Sequence, residues 1–370
     1  MQLNKVNEAN TRRVLQQIWI SGGTTRVALA KELGLVKSTV SRIISMLLDD
    51  GIVRQTAPRN DRAGVGRTPV RLEINRRHGM IVGLELQTDF YNAVAIDITG
   101  AVIRTWSGSI SMSGKDTMAA FFEITERINP WIESSEIPLI GMGIALAGLV
   151  DQNRGAILQS NPLSITEPVE FVQAVENRVS GPVMIGNDAN CGCWSELVSR
   201  RNSRHDNFLF VLGEFRAGQT TRSGYWGIAI GLGLVLNGGL YHGASYSAGE
   251  FQSILWEPGN DGQLSITNDE ARRLKEDPSV MARALRELCA HIAFLVNTLN
   301  LTSVVFGGEI TEYREMLRPI LEEEIQRNWS YSNRVACDVE FSSLGVNAVA
   351  YGAAGMVLAN TFTVPDVFSG

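Results

Sequence analysis

Two carboxylates stand where acidic side chains do chemistry. Asp188 lies within GPVMIGNDAN (181–190), a run that reads as a buried strand ending in Asn187-Asp188 at the head of a helix over 189–197. An aspartate at a strand end facing a cleft can accept a proton from a hydroxyl. The plainer alternative is an N-cap, worth about 1 kcal/mol to the helix. Glu250 closes the stretch GIAIGLGLVLNGGLYHGASYSAGE (227–250). Ile228, Ile230, Leu232, Leu234 and Leu236 alternate as in a strand, and Gly231 and Gly233 within it imply a close approach to the backbone. Gly238-Gly239 makes a hairpin turn, and a small-residue loop then delivers Glu250. A Gly-rich strand pair beside a fixed acid can cradle a polyhydroxylated ligand or a phosphate. A tight hairpin with no ligand is the alternative.

The third group is basic. Residues 1–77 hold 14 Lys+Arg and 6 Asp+Glu, net +8, which leaves 19 basic and 33 acidic residues, net −14, in the remainder. The overall charge of −6 hides this asymmetry. A basic head on an acidic body points to an anionic polymer as the head's partner.

The elements that must position these groups can be read in order. Val14, Leu15 and Ile18 predict a helix over 10–20, stopped by Gly22-Gly23. Thr24-Thr25 caps a second helix over 26–33, ended by Gly34. A third helix opens at Lys37 or Ser38 and runs to about residue 50, with Val40, Ile43, Ile44, Leu47 and Leu48 as one buried stripe. Helix, short Gly-containing turn, helix is the helix-turn-helix pattern, in which the second helix enters the major groove N-terminus first. That assigns Lys37, Ser38, Thr39, Ser41 and Arg42 to DNA. Arg42 can read a guanine edge or bind phosphate, and Lys37 suits a phosphate. Thr25 and Arg26 sit at a helix N-terminus, a natural phosphate site. Strands over 52–55 and 70–74 flank a wing whose Arg59, Arg62 and Arg67, with Gly64 and Gly66, suit a backbone or narrow minor groove.

The body reads as α/β. Strands are predicted over 80–86, 91–98, 101–109, 139–145, 207–212, 227–237, 303–306 and 338–342, and helices over 118–132, 280–299, 312–328 and 347–359. The order of elements recurs, as in a duplicated domain with a cleft between lobes. The length of 370 residues suits two or three domains with real cores. No apolar run of about 18 residues occurs, so no membrane span is expected. The polar start, MQLNKVNEANTRR, lacks a secretory h-region. Cys191, Cys193, Cys289 and Cys337 form no disulfide framework, which fits a cytoplasmic protein.

Residues 227–233 (GxGxG-type), 238–243 (G-x-L-x-x-G) and Ala248-Gly249-Glu250 together resemble the signature of the ROK family (repressors, open reading frames and sugar kinases). The resemblance covers essentially the whole chain, and GLVKSTVSRIISMLLDDGIV resembles the winged helices of ROK repressors, including those that answer to xylose or glucose. It implies a winged helix-turn-helix (1–77) followed by an actin-like, ribonuclease-H-like domain, with a first lobe (78–198) and a second lobe (199–370) that binds effector and dimerises. In the family's kinases the Asp of the NDAN motif is the catalytic base and the Asn holds the sugar. By resemblance Asn161, Asn187, Asp188 and Glu250 are the sugar-binding residues.

Three departures oppose kinase activity. The family's phosphate-binding D-x-G-G-T is matched by Glu85-Leu86-Gln87-Thr88-Asp89, which lacks both glycines and adds acids. The G-E-x-G-H motif has become Gly249-Glu250-Phe251-Gln252-Ser253, so the His that contacts sugar and ligates zinc in many members is Ser253. The following C-x-C-G-x-x-G-C cluster is missing, with no Cys or His between Glu250 and Arg286. Neither zinc nor ATP is therefore expected. Gly307-Gly308 matches the family's nucleotide side but equally serves a strand-to-loop turn, Gly352 and Gly355 suit close helix packing, and Trp256 and Glu257 are candidates to line the pocket.

The resulting expectation is a homodimeric repressor, bound to palindromic operator DNA, that senses a sugar without phosphorylating it. An ATP-dependent sugar kinase and a regulator titrated by a transporter component are the rival readings.

Overall fold

The structure is a computed structural model that describes residues 2–57, 70–111, 116–201, 206–216, 218 and 226–362. Helices α1 (Gln2–Ser21), α2 (Arg26–Leu33) and α3 (Lys37–Asp49) bury Val14, Leu15, Ile18, Leu29, Val40, Ile43, Ile44 and Leu47 against one another. Leu48, expected in the same stripe, is half-buried. Helix α1 starts at Gln2 rather than at residue 10, since Gln, Leu, Lys, Glu and Ala are helix formers and no Gly or Pro interrupts them. Thr25 caps α2, accepting from the Ala28 N–H at 3.2 Å. Strands β1 (Val53–Thr56) and β2 (Arg71–Ile74) pair antiparallel, and Thr24 adds a rung on Leu72. The expected wing tip, with Arg59, Arg62 and Arg67, lies outside the described residues.

The body repeats one sheet twice. The first contains β3 (Met80–Leu86), β4 (Phe90–Asp97), β5 (Val102–Ser109), β6 (Leu139–Leu146) and β9 (Val183–Asn187), in the order β5-β4-β3-β6-β9. A small hairpin of β7 (Leu149–Asp151) and β8 (Ala156–Gln159) lies between β6 and β9 in sequence. The second sheet contains β10 (Phe208–Arg216), β11 (Gly227–Leu236), β12 (Gly239–Leu240), β13 (Ser303–Gly307) and β14 (Asp338–Phe341), in the order β12-β11-β10-β13-β14. In each sheet the first three strands run antiparallel and the last two join in parallel, so order and direction coincide between the sheets. The duplication expected from the element order is thus borne out in topology.

Helices follow the strands in matching places: α4 (Thr117–Ser134), the short α5 (Phe171–Val175) and α6 (Asp188–Ser199) in the first half, and the short α7 (Asn268–Arg272), α8 (Pro278–Leu299), α9 (Arg314–Arg327) and α10 (Ala348–Phe362) in the second. Helices α6 and α10 lie between the two sheets. Helix α10 packs on the first sheet, where a Cβ on Gly83 would fall 1.9 Å from the Ala350 carbonyl oxygen. Helix α6 packs on the second, where a Cβ on Gly233 would fall 2.4 Å from Cys193 Sγ. The two helices touch where a Cβ on Gly352 would lie 1.7 Å from the Cys191 carbonyl oxygen. Cys191 and Cys193 are buried members of this packing.

Gly233 therefore has a different cause from a ligand cradle, while Gly231 both packs on α6 and lines a cleft. The close neighbours at these glycines are Ala189 and Cys193 of α6. Gly308 likewise admits a protein group: a Cβ there would fall 2.4 Å from Glu214 Oε1.

Candidate functional site

The strand ends and loops around α6 enclose a cleft of about 660 Å³. Asn161, Asn187, Asp188 and Glu250, drawn from distant parts of the sequence, all line it. Asn187 is the N-cap of α6, accepting from the Asn190 N–H at 3.1 Å and donating from Nδ2 to the Gly148 carbonyl at 3.1 Å. The capping role considered for Asp188 thus belongs to its neighbour. Asp188 is the first helical residue and is buried. Its Oδ1 accepts from the Ala189 N–H at 2.8 Å and its Oδ2 from Gln87 Nε2 at 3.2 Å. Burial raises the Asp188 carboxyl above the ordinary range, opposed by these bonds and by Arg216.

Glu250 reaches the cleft by a backbone device. Gly249 has φ +92°, and a Cβ there would fall 1.8 Å from the Leu232 carbonyl oxygen, so the AGE turn needs glycine at this point. The turn lies against β11 through the Leu232 N–H to Gly249 O bond (3.1 Å) and the Gly231–Glu250 bridge. Partial desolvation raises the Glu250 carboxyl, and the Asp188 charge adds to it. At the rim, Tyr246 sits at φ 58°, and its hydroxyl accepts from Asn153 Nδ2 at 2.8 Å, tying this loop to the β7–β8 turn. A bulky residue at positive φ is a backbone outlier.

Several lining residues escaped sequence reasoning. Strand β10 runs on past Leu212, where the apolar run gives out, to Glu214 and Arg216. Both side chains are buried and line the cleft. Arg216 donates to Gln87 Oε1 at 2.9 Å and lies 3.8 Å from Asp89. Gln87 also faces Glu85 at 3.4 Å, and Asn92 donates to Glu85 at 2.9 Å. Burial lifts the Glu85 carboxyl to about 7, Asp188 adding to the rise. Glu214 rises too, by burial and then by the charges of Glu85 and Glu309. The segment that replaces D-x-G-G-T is therefore a knot of side chains across the lobes. The signal for it was the i, i+2 alternation of Glu214 and Arg216 beyond the apolar strand. Trp256 lines the cleft, whereas Glu257 is an exposed loop acid. Ser253 is buried, its Oγ accepting from the Leu255 N–H at 3.0 Å. Among the described residues no three His, Cys, Asp or Glu side chains are grouped to hold a metal.

The amino-terminal domain carries the second site. Lys37, Ser38, Ser41 and Arg42 are exposed on α3, while Thr39 is half-buried. Thr25 and Arg26 are half-buried at the start of α2. Val27 and Val36 are exposed beside these helix starts, at 64% and 69%. Sequence reading passed over both, and each offers an apolar surface of the kind that meets a thymine methyl.

The two sites are joined. Arg200 caps α6, and the next residue, Arg201, donates from Nε to the Trp19 carbonyl at 3.3 Å, with its guanidinium 4.8 Å from the Trp19 ring centroid. Phe362, at the end of α10, stacks on the same indole at 5.7 Å.

Known proteins match this arrangement. The ROK family pattern matches residues 123–260 and 266–360, well over half of the chain. The chain belongs to the ROK family. A winged helix-turn-helix DNA-binding pattern matches residues 8–54 of this ROK chain. The xylose repressor of Bacillus subtilis (strain 168) is 24% identical over 384 residues, covering 95% of this chain and 96% of that one. The crystal structure of a ROK family transcriptional regulator, a homologue of the E. coli MLC protein, superposes with a TM-score of 0.74 at 18% identity, over 97% of this chain and 98% of its own. A ROK family glucokinase from Streptomyces griseus, in complex with glucose and AMPPNP, superposes with a TM-score of 0.58 at 19% identity, over 75% of this chain and 99% of its own. The kinase has no counterpart for a quarter of this chain. The regulator spans nearly all of it. This chain is thus a winged helix followed by a ROK domain of actin-like α/β fold.

Proposed function

We propose that this ROK protein is a sugar-responsive, DNA-binding transcriptional repressor of carbohydrate-utilisation genes. The winged helix binds operator DNA through Thr25, Arg26, Lys37, Ser38, Thr39, Ser41 and Arg42. Arg62 and Arg67 of the wing reach the adjacent backbone or minor groove. A homodimer presents two such heads to palindromic half-sites about one helical turn apart.

The body senses its sugar without phosphorylating it. The observation that carries this reading is the segment that matches the family's phosphate loop, where the Gln87 side chain bonds Asp188 at 3.2 Å and Arg216 at 2.9 Å across the lobes. Each Asp188 oxygen keeps acceptor capacity for a sugar hydroxyl. The charges of the cleft agree. Asp188, Glu214, Glu250 and Asp261 line it, and Arg216, the single cation among the described lining residues, is already bonded to Gln87. Phosphoryl transfer depends on neutralising phosphate charge, which this wall does not do. Acceptor-rich walls suit an uncharged polyol, whose hydroxyls donate. The relative named xylose repressor makes D-xylose the first candidate. Asn161, Asn187, Asp188 and Glu250 are the proposed contacts.

Effector and operator communicate through α6. Its first residue faces the sugar, and the arginine after its cap grips Trp19 of the head. The sugar weakens DNA binding only by as much as it prefers one head arrangement over the other.

The kinase reading draws on Asp188 and on the likeness to the glucokinase structure. A thermal-shift screen of D-xylose, D-glucose and N-acetylglucosamine, with and without ATP, separates the two. A native-state ligand raises the melting temperature by mass action. A shift with one sugar and none with ATP is expected, together with release of operator DNA by that sugar. ATP consumption driven by a sugar would overturn the reading.

A further inference from the structure

One side chain in the cleft wall has both its amide donors spent, on residues that flank the Gly231–Glu250 bridge. Gln263 Nε2 donates to the Ile230 carbonyl at 2.8 Å and to the Phe251 carbonyl at 2.7 Å. Its Oε1 accepts from the Ile230 N–H at 2.7 Å. Its backbone carbonyl accepts from the Ser253 N–H at 2.9 Å. An amide has two N–H donors, and both are spent.

The placement has a consequence for Glu250. Ile230 precedes Gly231, the residue bridged to Glu250, and Phe251 follows Glu250 directly. The Gln263 amide thus ties β11 to the chain on the far side of the acid, as an added strand would. Gln263 itself is held from elsewhere. Leu264 and Ile266 are buried in the core of the second lobe, and Ser265 donates from N (2.8 Å) and Oγ (2.5 Å) to Glu287 of α8. Asn260 Nδ2 adds a bond to the Ser265 carbonyl at 3.4 Å.

We propose that Gln263 is the positioning residue of the acid side of the cleft, fixing Glu250 for its ligand by clamping Ile230 and Phe251 without contacting the ligand. The clamp itself stands on the geometry. Its effect on a sugar rests on the sensor reading above.

The test uses the full-length protein with Gln263→Ala and Gln263→Glu. Alanine removes the clamp. Glutamate keeps the size and replaces the two donors with an acceptor facing two carbonyl oxygens. Hydrogen exchange followed by mass spectrometry, without ligand, is expected to quicken about tenfold or more in peptides spanning 228–234 and 250–256 in both variants, the scale of a lost bond or two. Peptides from β13 and α8 are expected to match the wild type. D-xylose is the ligand probe, with an expected loss of affinity of about tenfold and unchanged operator binding in its absence. Wild-type exchange in both variants would overturn the proposal. So would Gln263→Glu behaving as the wild type, which would make the side chain a space-filler, or faster exchange across the whole second lobe. Should the wild type itself not bind D-xylose, the exchange result still decides the clamp, and it is the xylose reading that fails.

Discussion

The guanidinium of Arg216, in the second lobe, donates to the side-chain oxygen of Gln87, in the first, at 2.9 Å. That bond orients the Gln87 amide so that its nitrogen faces Asp188 and Glu85. Arg216 also faces a group of buried acids, and it lowers Glu85, Asp188 and Glu214 alike. Arg216→Met leaves those carboxyls without their counter-charge. Breaking such a buried arrangement is expected to cost about 3 kcal/mol at pH 8. The cost should shrink at pH 6, where the acids can protonate. Urea unfolding at the two pH values checks this, and a pH-independent loss would refute the charge argument.

The Glu85 carboxyl gives the protein a pH dependence of definite sign. Its ordinary value of 4.5 is raised to about 7 by burial. A carboxyl with a raised native pKa binds its proton more tightly when folded. Stability is therefore greatest at acid pH as far as this group goes, falls as pH climbs from 4.5 to 7, and levels off above 7. The scale is on the order of 3 kcal/mol. Asp188 and Glu214 shift in the same direction. The protein is expected to melt a few degrees higher at pH 6 than at pH 8, with a shallower slope in Glu85→Gln. A melting temperature that rises with pH over this interval would contradict the assignment.

On DNA, Lys37 and Arg42 should separate. Lys37→Ala is expected to weaken binding evenly across sequences and to lower the salt slope by about 1. Arg42→Ala is expected to cost about 1–3 kcal/mol and to relax specificity at one position of each half-site. Gel-shift titrations at several salt concentrations, on operator and on scrambled DNA, distinguish the roles. Equal effects of Arg42→Ala on both DNAs would make Arg42 a phosphate contact.

Arg201→Ala should uncouple the two sites. The residue touches neither the cleft lining nor the exposed face of α3, but it clasps Trp19 at the end of α6. Sugar affinity and sugar-free operator affinity should stay near wild type, while the factor by which sugar weakens operator binding falls toward one. Full sugar control in Arg201→Ala would remove α6 from the mechanism.

Local pattern made much of this molecule legible. The three amino-terminal helices follow from apolar spacing and from Thr25, Gly22-Gly23 and Gly34 as punctuation, signals carried by neighbours in sequence. The doubled α/β body follows from the recurrence of strands and helices. Asn161, Asn187, Asp188 and Glu250 were found because each sits in a short motif, and the structure brings all four to one cleft. What tertiary structure decided were the partnerships. Gln87 meets Asp188 from 101 residues away and Arg216 from 129, and Gln263 meets Ile230 from 33. Such contacts depend on which strands pair, in what register, and on how closely α6 lies against the second sheet. No local period encodes them. Arg216 reads in the sequence as a charge beyond the end of a strand. The sheet carries that strand on between the lobes, and burial among carboxylates makes the same charge the cleft's central cation.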